Sequence, residues 1–259
     1  MSGAGVQQMR IYEEADYRAM CRRAANILSA CVILEPDCVL GLATGSTPLG
    51  IYDQLAQWCA RGDLSFAAVH TVNLDEYRGL APQHPQSYRY FMQSHFFDRI
   101  DIDPANTELP DGLADDPAAE CTRYDAVLRR AGAPALQLLG LGHNGHIGFN
   151  EPADAFALGT HLVDLTASTI SANTRFFASE GEVPRQAYTM GIAGILSARR
   201  VLVAVSGADK ADAVARSFAG PVTPQVPASI LRLHPDVTLV GDTAALAELK
   251  KTGVPFERV

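Results

Sequence analysis

Hydrophobic and polar positions along this chain alternate between short apolar runs and longer amphipathic stretches. Five runs have the length of buried strands: 38–43, 67–74, 136–142, 200–207 and 236–242. Four longer stretches carry apolar residues at helical spacing: 13–34, 47–62, 85–100 and 116–132. A short helix is expected from about Thr243. Strands that alternate with helices predict a mostly parallel central sheet with helices on both faces.

The predicted fold is therefore α/β, with residues 1–259 forming a single Rossmann-like domain. No linker or internal repeat divides the chain. Residues from about 160 to 186 are polar and weakly periodic, which predicts a lid segment. Right-handed crossovers place the carboxyl ends of parallel strands on one edge of the sheet, and ligands bind at that edge.

Composition and charge exclude several classes of partner. The 259 residues carry a formal net charge of −8 and no run rich in Lys or Arg, so neither nucleic acid nor an anionic membrane is an expected partner. No apolar run reaches the roughly 18 residues of a membrane helix, and the N-terminal segment lacks the apolar core of a secretory signal. The five cysteines include no C-x-x-C pair, which predicts reduced thiols and a cytoplasmic protein.

Two polar segments directly follow predicted strands. "ATGSTP" (43–48) opens a helix with small residues, so its backbone N–H groups and hydroxyls suit an anion such as phosphate. The alternative is that Ser46 or Thr47 simply caps the helix. "NLDEY" (73–77) puts Asp75 and Glu76 at a strand end, where one carboxylate could serve as a general base. The alternative is a solvated surface pair.

Two further segments follow later strands. In "SGADK" (206–210), Lys210 opens a helix, an unfavourable place for a cation unless it faces an anion. The alternative is that Lys210 simply points into water. In "GLGHNGHIGFNEP" (140–152), glycines let the backbone approach a ligand, and a histidine can move protons near neutral pH with Glu151 close by. The alternative is a histidine with a purely structural role. The spacing of His143, His146 and Glu151 is not that of a known metal motif, so no metal is expected.

These segments together resemble the glucosamine-6-phosphate deaminase family, which is related to the 6-phosphogluconolactonases. Seven stretches occur in the family's order between about Leu40 and Asp242: "GLATGSTPLGIYDQL", "TVNLDEYRGL", "HPQSYRYFM", "GLGHNGHIGFNEP", "ANTRFF", "YTMGIAGILSARRVLVAVSGADKA" and "PASILRLHPDVTLVGD". The resemblance implies an enzyme that converts glucosamine 6-phosphate and water to fructose 6-phosphate and ammonium, without a cofactor. Members of the family are monomers or homo-oligomers.

The resemblance also implies roles for individual residues. Asp75 matches the base that removes the C2 proton, His146 the residue that opens the sugar ring, and Glu151 the carboxylate that supports it. Asn144 stands where many members have Asp, and it can orient the imidazole by hydrogen bonds. The residues that match the phosphate site are Gly45, Ser46, Thr47, Arg175 and Lys210.

Three alternative functions remain open at this point. "LGT" (158–160) stands where many members have Ser-Arg-Thr, which leaves galactosamine 6-phosphate as a second candidate substrate. A 6-phosphogluconolactonase would use the same phosphate loop and a histidine, but it needs no C2 base. A non-catalytic sugar-phosphate sensor would need no acid–base residues at all.

Overall fold

The computed structural model describes residues 9–254 and 257–258. Within these residues the chain forms eleven strands: β1 (Arg10–Glu14), β2 (Val39–Leu42), β3 (His70–Asn73), β4 (Asp75–Tyr77), β5 (Thr107–Glu108), β6 (Leu136–Leu139), β7 (His161–Asp164), β8 (Gln186–Thr189), β9 (Val201–Val205), β10 (Val237–Asp242) and β11 (Glu257–Arg258). The α-helices in the same part of the chain are α1 (Tyr17–Leu34), α2 (Leu49–Ala60), α3 (Tyr88–His95), α4 (Pro117–Ala131), α5 (Ala167–Asn173), α6 (Ile192–Leu196), α7 (Ala211–Ala219) and α8 (Ala247–Lys251).

The large sheet has eight strands in the order β11-β1-β10-β9-β6-β2-β3-β5, and every neighbouring pair is parallel. After β2 the chain moves towards β3 and β5, whereas after β6 it moves back towards β9 and β10. Right-handed crossovers in opposite directions put α1 and α2 on one face of the sheet and α4 and α7 on the other. The α/β fold with a mostly parallel, helix-covered sheet is therefore confirmed.

The direction in which the chain crosses the sheet reverses between β2 and β6, and this reversal determines where a ligand site can form. These strands are hydrogen-bonded neighbours, and the loops that follow them turn away to opposite faces of the sheet. A crevice forms outside the carboxyl ends of strands at such a switch point. The loops after β3 and β9, the next strands on either side, border the same crevice.

Buried apolar strands hold the centre of this sheet. All five residues of β9, all four of β6 and all six of β10 are buried. Strands covered on both faces carry such continuous apolar runs, which is why the sequence pattern located them. The loops at the carboxyl ends are therefore anchored to fully buried strands.

Helices α1 and α4 begin at residues whose side chains satisfy free backbone N–H groups. Asp16 accepts from the N–H of Ala19 at the start of α1, and Asp116 accepts from Ala118 at the start of α4. The predicted helix over 13–34 is wrong at its beginning, because residues 10–14 form β1 and α1 starts only at Tyr17. The short β1 takes its conformation from pairing with β10, which lies far away in sequence.

A second sheet of three antiparallel strands, β4-β8-β7, was not predicted from the sequence. It begins at Asp75, which pairs with Thr189, and Thr189 pairs in turn with His161. The segment 160–186 contains β7 and α5, so the region predicted as a lid has regular secondary structure and shares this sheet. The small sheet thus joins the loop after β3 to the segment 160–186.

Across residues 9–254 and 257–258, no helix is long and apolar enough to cross a membrane. The predictions about the N-terminal segment fall largely on residues 1–8, which lie outside the described part of the chain.

Candidate active site

A cavity of about 530 Å³ opens at the carboxyl ends of β2, β3, β6 and β9. Eight of the nine residues predicted for the site line it: Gly45, Ser46, Thr47, Asp75, Asn144, His146, Arg175 and Lys210. The ninth, Glu151, lies behind Asn144 and His146 and contacts both. The fold therefore gathers residues from five separate segments around one hollow the size of a small metabolite.

Asp75 and Glu76 point in different directions because they are consecutive residues of a strand. Asp75 faces the cavity, whereas Glu76 accepts hydrogen bonds from the N–H groups of Tyr77, Tyr88 and Arg89 at distances of 2.8–2.9 Å. Two of these N–H groups belong to the first turn of α3. The side chains are 5% and 2% exposed, so the interpretation as a solvated surface pair is wrong.

The environment of Asp75 makes its carboxylate unusually basic. Burial raises the pKa of Asp75 well above its ordinary value, and the neighbouring Glu76 carboxylate raises it further. Burial also raises the pKa of Glu76 to about 7, although the three backbone N–H groups and Arg89 oppose that effect. A buried carboxylate with a raised pKa at a cavity wall has the properties of a general base.

His146 lies in a tight turn that folds back onto the end of β6. The N–H of Gly142 donates to the carbonyl of His146 at 2.9 Å, and the imidazole lies directly over Gly142. A Cβ at Gly142 would come within 2.3 Å of that ring, so a larger residue would displace the imidazole. Gly145 has a φ of +89°, which lets the turn close. The glycines of this segment thus serve to place one imidazole at the cavity wall.

Glu151 is the centre of a hydrogen-bond network that holds this turn. One of its oxygens, Oε2, accepts from Asn144 Nδ2 at 2.6 Å and lies 3.4 Å from His146 Nδ1. The other oxygen accepts from the hydroxyls of Thr166 and Thr169. Burial by itself would raise the pKa of Glu151, but His146, Thr169 and Asn144 outweigh it and hold that pKa at about 2. Glu151 is therefore an ionised, fully bonded carboxylate behind the imidazole.

Asn144 connects the two groups. Its side-chain oxygen accepts from the backbone N–H of His146 at 3.1 Å, while its amide nitrogen donates to Glu151. The Nδ1 atom of His146 is buried and lies 3.4 Å from the carboxylate of Glu151, in a geometry that does not form a hydrogen bond. The contact between imidazole and carboxylate is therefore an electrostatic one.

The opposite end of the cavity is lined by the loop after β2 and by two cations. Gly45 has a φ of +96° in the middle of this loop, and Arg175 Nη2 lies 3.5 Å from Ser46 Oγ. Burial lowers the pKa of Lys210; the carboxylate of Asp209 opposes that effect and Arg175 adds to it. Two neighbouring cations that repel each other favour an anion between them.

The interpretation of Ser46 or Thr47 as a plain helix cap is wrong. The N-cap residue of α2 is Pro48, which makes no side-chain hydrogen bond to the helix start. The N–H of Gly50 is bonded by the hydroxyl of Tyr17 from α1, and neither Ser46 nor Thr47 caps the first turn, as expected for a loop that binds an anion.

Several residues that line the cavity were not assigned from the sequence. They include Thr44, Tyr88, His143, Phe149, Ser168, Thr169, Asn173 and Phe176. Most belong to α3 or to the segment 166–176, which follow no predicted strand and so carried no positional signal. Tyr88 stacks on Phe149 with ring centroids 5.8 Å apart, and this pair forms an aromatic wall beside Asp75.

His143, three residues before His146, lies at the rim instead of the base of the cavity. Its Nε2 atom is 2.7 Å from Asp209 Oδ2, so it joins the loop after β6 to the loop after β9. Within the described ranges 9–254 and 257–258, no group of three or more His, Cys, Asp or Glu side chains could hold a metal ion.

Comparison with known proteins identifies the family. The family model of glucosamine-6-phosphate isomerases and 6-phosphogluconolactonases matches residues 13–240. A glucosamine-6-phosphate deaminase of Lachnoclostridium phytofermentans is 55% identical over 232 residues, which cover 90% of this chain and 98% of the relative. A second, of Halothermothrix orenii, is 51% identical over 93% of this chain and 100% of the relative.

Solved structures agree with these matches. A structure described as a monomeric glucosamine-6-phosphate deaminase superposes with a TM-score of 0.91 at 45% identity, and the match covers 93% of this chain and 100% of that one. A 6-phosphogluconolactonase of Thermotoga maritima shares the fold at a TM-score of 0.72 and 20% identity, over 91% of this chain and 100% of that one. The resemblance noted in the sequence is thereby confirmed, and the chain belongs to the family of glucosamine-6-phosphate isomerases and 6-phosphogluconolactonases.

Proposed function

We propose that this protein is a glucosamine-6-phosphate deaminase, which converts glucosamine 6-phosphate and water to fructose 6-phosphate and ammonium. The single observation that carries the proposal is one cavity with a buried, basic carboxylate and an imidazole at one end and two cations at the other. Relatives at 51–55% identity that bear this name support the same conclusion.

Ring opening is the first step of the proposed reaction. The sugar is mostly a closed ring, so a proton must leave the C1 hydroxyl and another must reach the ring oxygen. In our proposal His146 carries these protons, because an imidazole accepts and donates near neutral pH. Asn144 holds the backbone of His146 and the carboxylate of Glu151, and this carboxylate, 3.4 Å from Nδ1, stabilises the protonated imidazole.

Removal of the C2 proton follows. In the open chain this proton is acidified by the C1 carbonyl, so a carboxylate is a sufficient base. Asp75 takes the proton, the electron pair of the C–H bond forms the C1–C2 double bond, and the C1 oxygen takes a proton from the ammonium group of the substrate, which gives the enolamine. Protonated Asp75 returns its proton to C1, which leaves an iminium at C2; water adds there before ammonia departs. The raised pKa of Asp75 makes it a stronger base than an exposed aspartate.

The phosphate group does not react, and it fixes the position of the substrate. We assign its binding to the N–H groups and hydroxyls of Gly45, Ser46 and Thr47, with Arg175 and Lys210 supplying positive charge. Binding at this end holds C1 and C2 against the acid–base groups, which lowers the entropic cost of the reaction. Two local cations also offset the unfavourable net charge of −8.

We also propose that the segment 160–186 closes over bound substrate as a lid. Its helix α5 and the following turn supply Ser168, Asn173, Arg175 and Phe176 to the cavity wall. Arg175 reaches the phosphate loop from this segment, so a bound phosphate would draw it inward. Slower amide hydrogen exchange over 160–186 on addition of glucosaminitol 6-phosphate would support closure, and unchanged exchange would contradict it.

Incubation of the purified protein with glucosamine 6-phosphate tests the proposed reaction directly. Ammonium and fructose 6-phosphate should appear in equal amounts. Parallel incubations with galactosamine 6-phosphate and with 6-phosphogluconolactone separate the alternatives. Turnover of the lactone alone would replace the proposal by a lactonase, and binding of sugar phosphate without any product would replace it by a sensor.

A cytoplasmic location belongs to the same proposal. The five cysteines are all free thiols, as in a reducing compartment, and the proposed substrate is a phosphorylated metabolite. Cell fractionation with an antibody against the protein tests this location.

A further inference from the structure

The loop that lines the phosphate end of the cavity has a second side, which faces α1. On that side the hydroxyl of Tyr17 lies 3.2 Å from the carbonyl oxygen of Ser46 and 3.2 Å from that of Thr47. The same hydroxyl accepts the backbone N–H of Gly50 at 3.0 Å. Tyr17 itself does not line the cavity. One side chain of α1 therefore contacts three backbone groups at the junction of the loop and α2.

We propose that Tyr17 is a positioning residue for the phosphate-binding loop. This inference rests on the proposed function, since it concerns how the same site holds the phosphate of its substrate. For a loop to bind an anion, its N–H groups must face the ligand and its carbonyl oxygens must face away. Tyr17 provides the partner that holds the carbonyls of Ser46 and Thr47 on the outer side.

The packing of α1 against α2 shows that this contact is close. A Cβ added to Gly50 would lie 2.7 Å from Cys21 Sγ and 3.1 Å from Tyr17 Oη. Cys21 Sγ is also 3.9 Å from the carbonyl of Thr47, so two residues one helical turn apart contact the same stretch of loop. Gly50 is the residue that lets the two helices approach far enough for the tyrosine to reach.

A second tyrosine holds the other end of the loop. The hydroxyl of Tyr52 donates to the carbonyl of Ala43 at 2.6 Å and accepts the N–H of the same residue at 3.3 Å. Gly45, with its positive φ, lies between the two fixed ends. Tyr52 is fully buried, whereas Tyr17 is 38% exposed, so Tyr17 can lose its hydroxyl without a defect in the core.

The hydroxyl of Tyr17 remains protonated under all ordinary conditions. Burial raises the pKa of Tyr17 to about 12, although the hydrogen bond from Gly50 opposes this effect. The hydroxyl therefore keeps the proton that it shares between the two carbonyl oxygens. Removing it leaves two acceptors and one donor to find other partners.

The Tyr17→Phe variant tests the inference. Loss of these hydrogen bonds should weaken phosphate binding by about 3- to 10-fold, in line with the usual net value of such bonds. The Michaelis constant for glucosamine 6-phosphate should rise by that factor, while kcat changes less than about twofold. The dissociation constant of inorganic phosphate, measured by calorimetry without turnover, should rise in parallel.

Two further variants sharpen the test. Gly50→Ala should push α1 away from the loop and weaken phosphate binding in the same direction. Tyr90→Phe is the matched control, because Tyr90 is 42% exposed on α3 and does not line the cavity. Its phosphate affinity should equal that of the wild type.

Unchanged phosphate affinity in Tyr17→Phe would overturn the inference. If the melting temperature and kcat fell at the same time, the role of Tyr17 would be purely structural. Failure of the proposed function looks different, because the wild type would then turn over no amino-sugar phosphate while the effect of Tyr17→Phe on phosphate binding could still be measured.

Discussion

The two ends of the cavity differ in how far the protein itself satisfies their polar and charged groups. At the acid–base end, Glu151 is bonded by Asn144, Thr166 and Thr169, and Glu76 by three backbone N–H groups, so the protein itself supplies the hydrogen-bond partners. At the phosphate end, Lys210 lies near another cation, and Pro48, the N-cap residue of α2, makes no capping hydrogen bond.

In the proposed reaction, this difference follows from what each end has to bind. Proton transfer needs groups in fixed positions with defined pKa values, so their environment must be complete before the substrate arrives. A phosphate brings its own charge and acceptor atoms, so its site is complete only when it is occupied. Substitutions at the first end should therefore change kcat, and substitutions at the second should change the Michaelis constant.

The largest expected effect comes from Asp75→Asn. This change removes the proposed base while it keeps the shape of the side chain, so kcat for the deaminase reaction should fall by about 10²- to 10⁴-fold, the usual value of general base catalysis. Initial rates of ammonium release measure it, with Asp154→Asn at an exposed position as the control. Near wild-type activity of Asp75→Asn would show that Asp75 is not the base.

The same variant should be more stable than the wild type. The pKa of Asp75 is raised on folding, so the folded state loses stability as pH rises above about 4, the ordinary pKa of an aspartate. Asparagine carries no such penalty. Thermal melts should therefore show a melting-temperature difference in favour of Asp75→Asn that is larger at pH 7 than at pH 4. The reverse trend would show that the carboxylate is stabilised in the fold.

The next effect in size is expected for Glu151→Gln. The amide keeps one acceptor oxygen but loses the charge beside His146, so kcat should fall by about 10- to 100-fold with a small change in the Michaelis constant. Steady-state kinetics measure both, with Glu248→Gln, on the surface outside 160–186, as the control. A change confined to the Michaelis constant would mean that Glu151 contributes to substrate binding and not to proton transfer.

The stability of Glu151→Gln should depend on pH in the opposite sense to that of Asp75→Asn. The pKa of Glu151 is lowered to about 2, so its contribution to stability is complete above pH 4.5 and is lost as pH falls towards 2. The variant should melt below the wild type at pH 7, and the gap should narrow under pH 4.5. A gap that stays constant over this range would contradict the lowered pKa.

At the phosphate end, Lys210→Met should raise the Michaelis constant about 10- to 100-fold and change kcat much less, because a charge-assisted hydrogen bond to a non-reacting group is lost. The dependence of the Michaelis constant on salt should also weaken. Lys251→Met, which removes an exposed surface cation, is the matched control. A fall in kcat with an unchanged Michaelis constant would mean that Lys210 contributes to the chemical step, so that binding and catalysis are not divided between the two ends of the cavity.

The smallest expected effect is a shift in the pH profile of Glu76→Gln. The Glu76 carboxylate raises the pKa of Asp75, and glutamine can still accept backbone N–H groups without the charge. The acidic limb of kcat/KM, which reports the ionisation of the base, should move to lower pH by less than about one unit. Glu248→Gln, on the surface, should leave the limb unchanged. A shift to higher pH would contradict the proposed coupling.

The sequence places the candidate site residues after the strands, where the structure also has them, but it does not show which way each side chain points. For "NLDEY", the pattern left a surface pair as an alternative, because a strand of three residues is too short to show which face is buried. The structure buries both carboxylates, since β4 pairs with β8 more than 100 residues later and α3 begins against Glu76.

The sequence by itself determined the parallel sheet, the loops at its carboxyl edge and the family, because continuous apolar runs and local motifs are properties of neighbouring residues. Only the tertiary structure decided that residues 10–14 form a strand, that Thr166 and Thr169 bond Glu151, and that Tyr17 contacts the phosphate loop. These contacts join segments that are distant along the chain. Local hydrophobic periodicity contains no information about such partners, because they meet only when the sheet and its helices pack together.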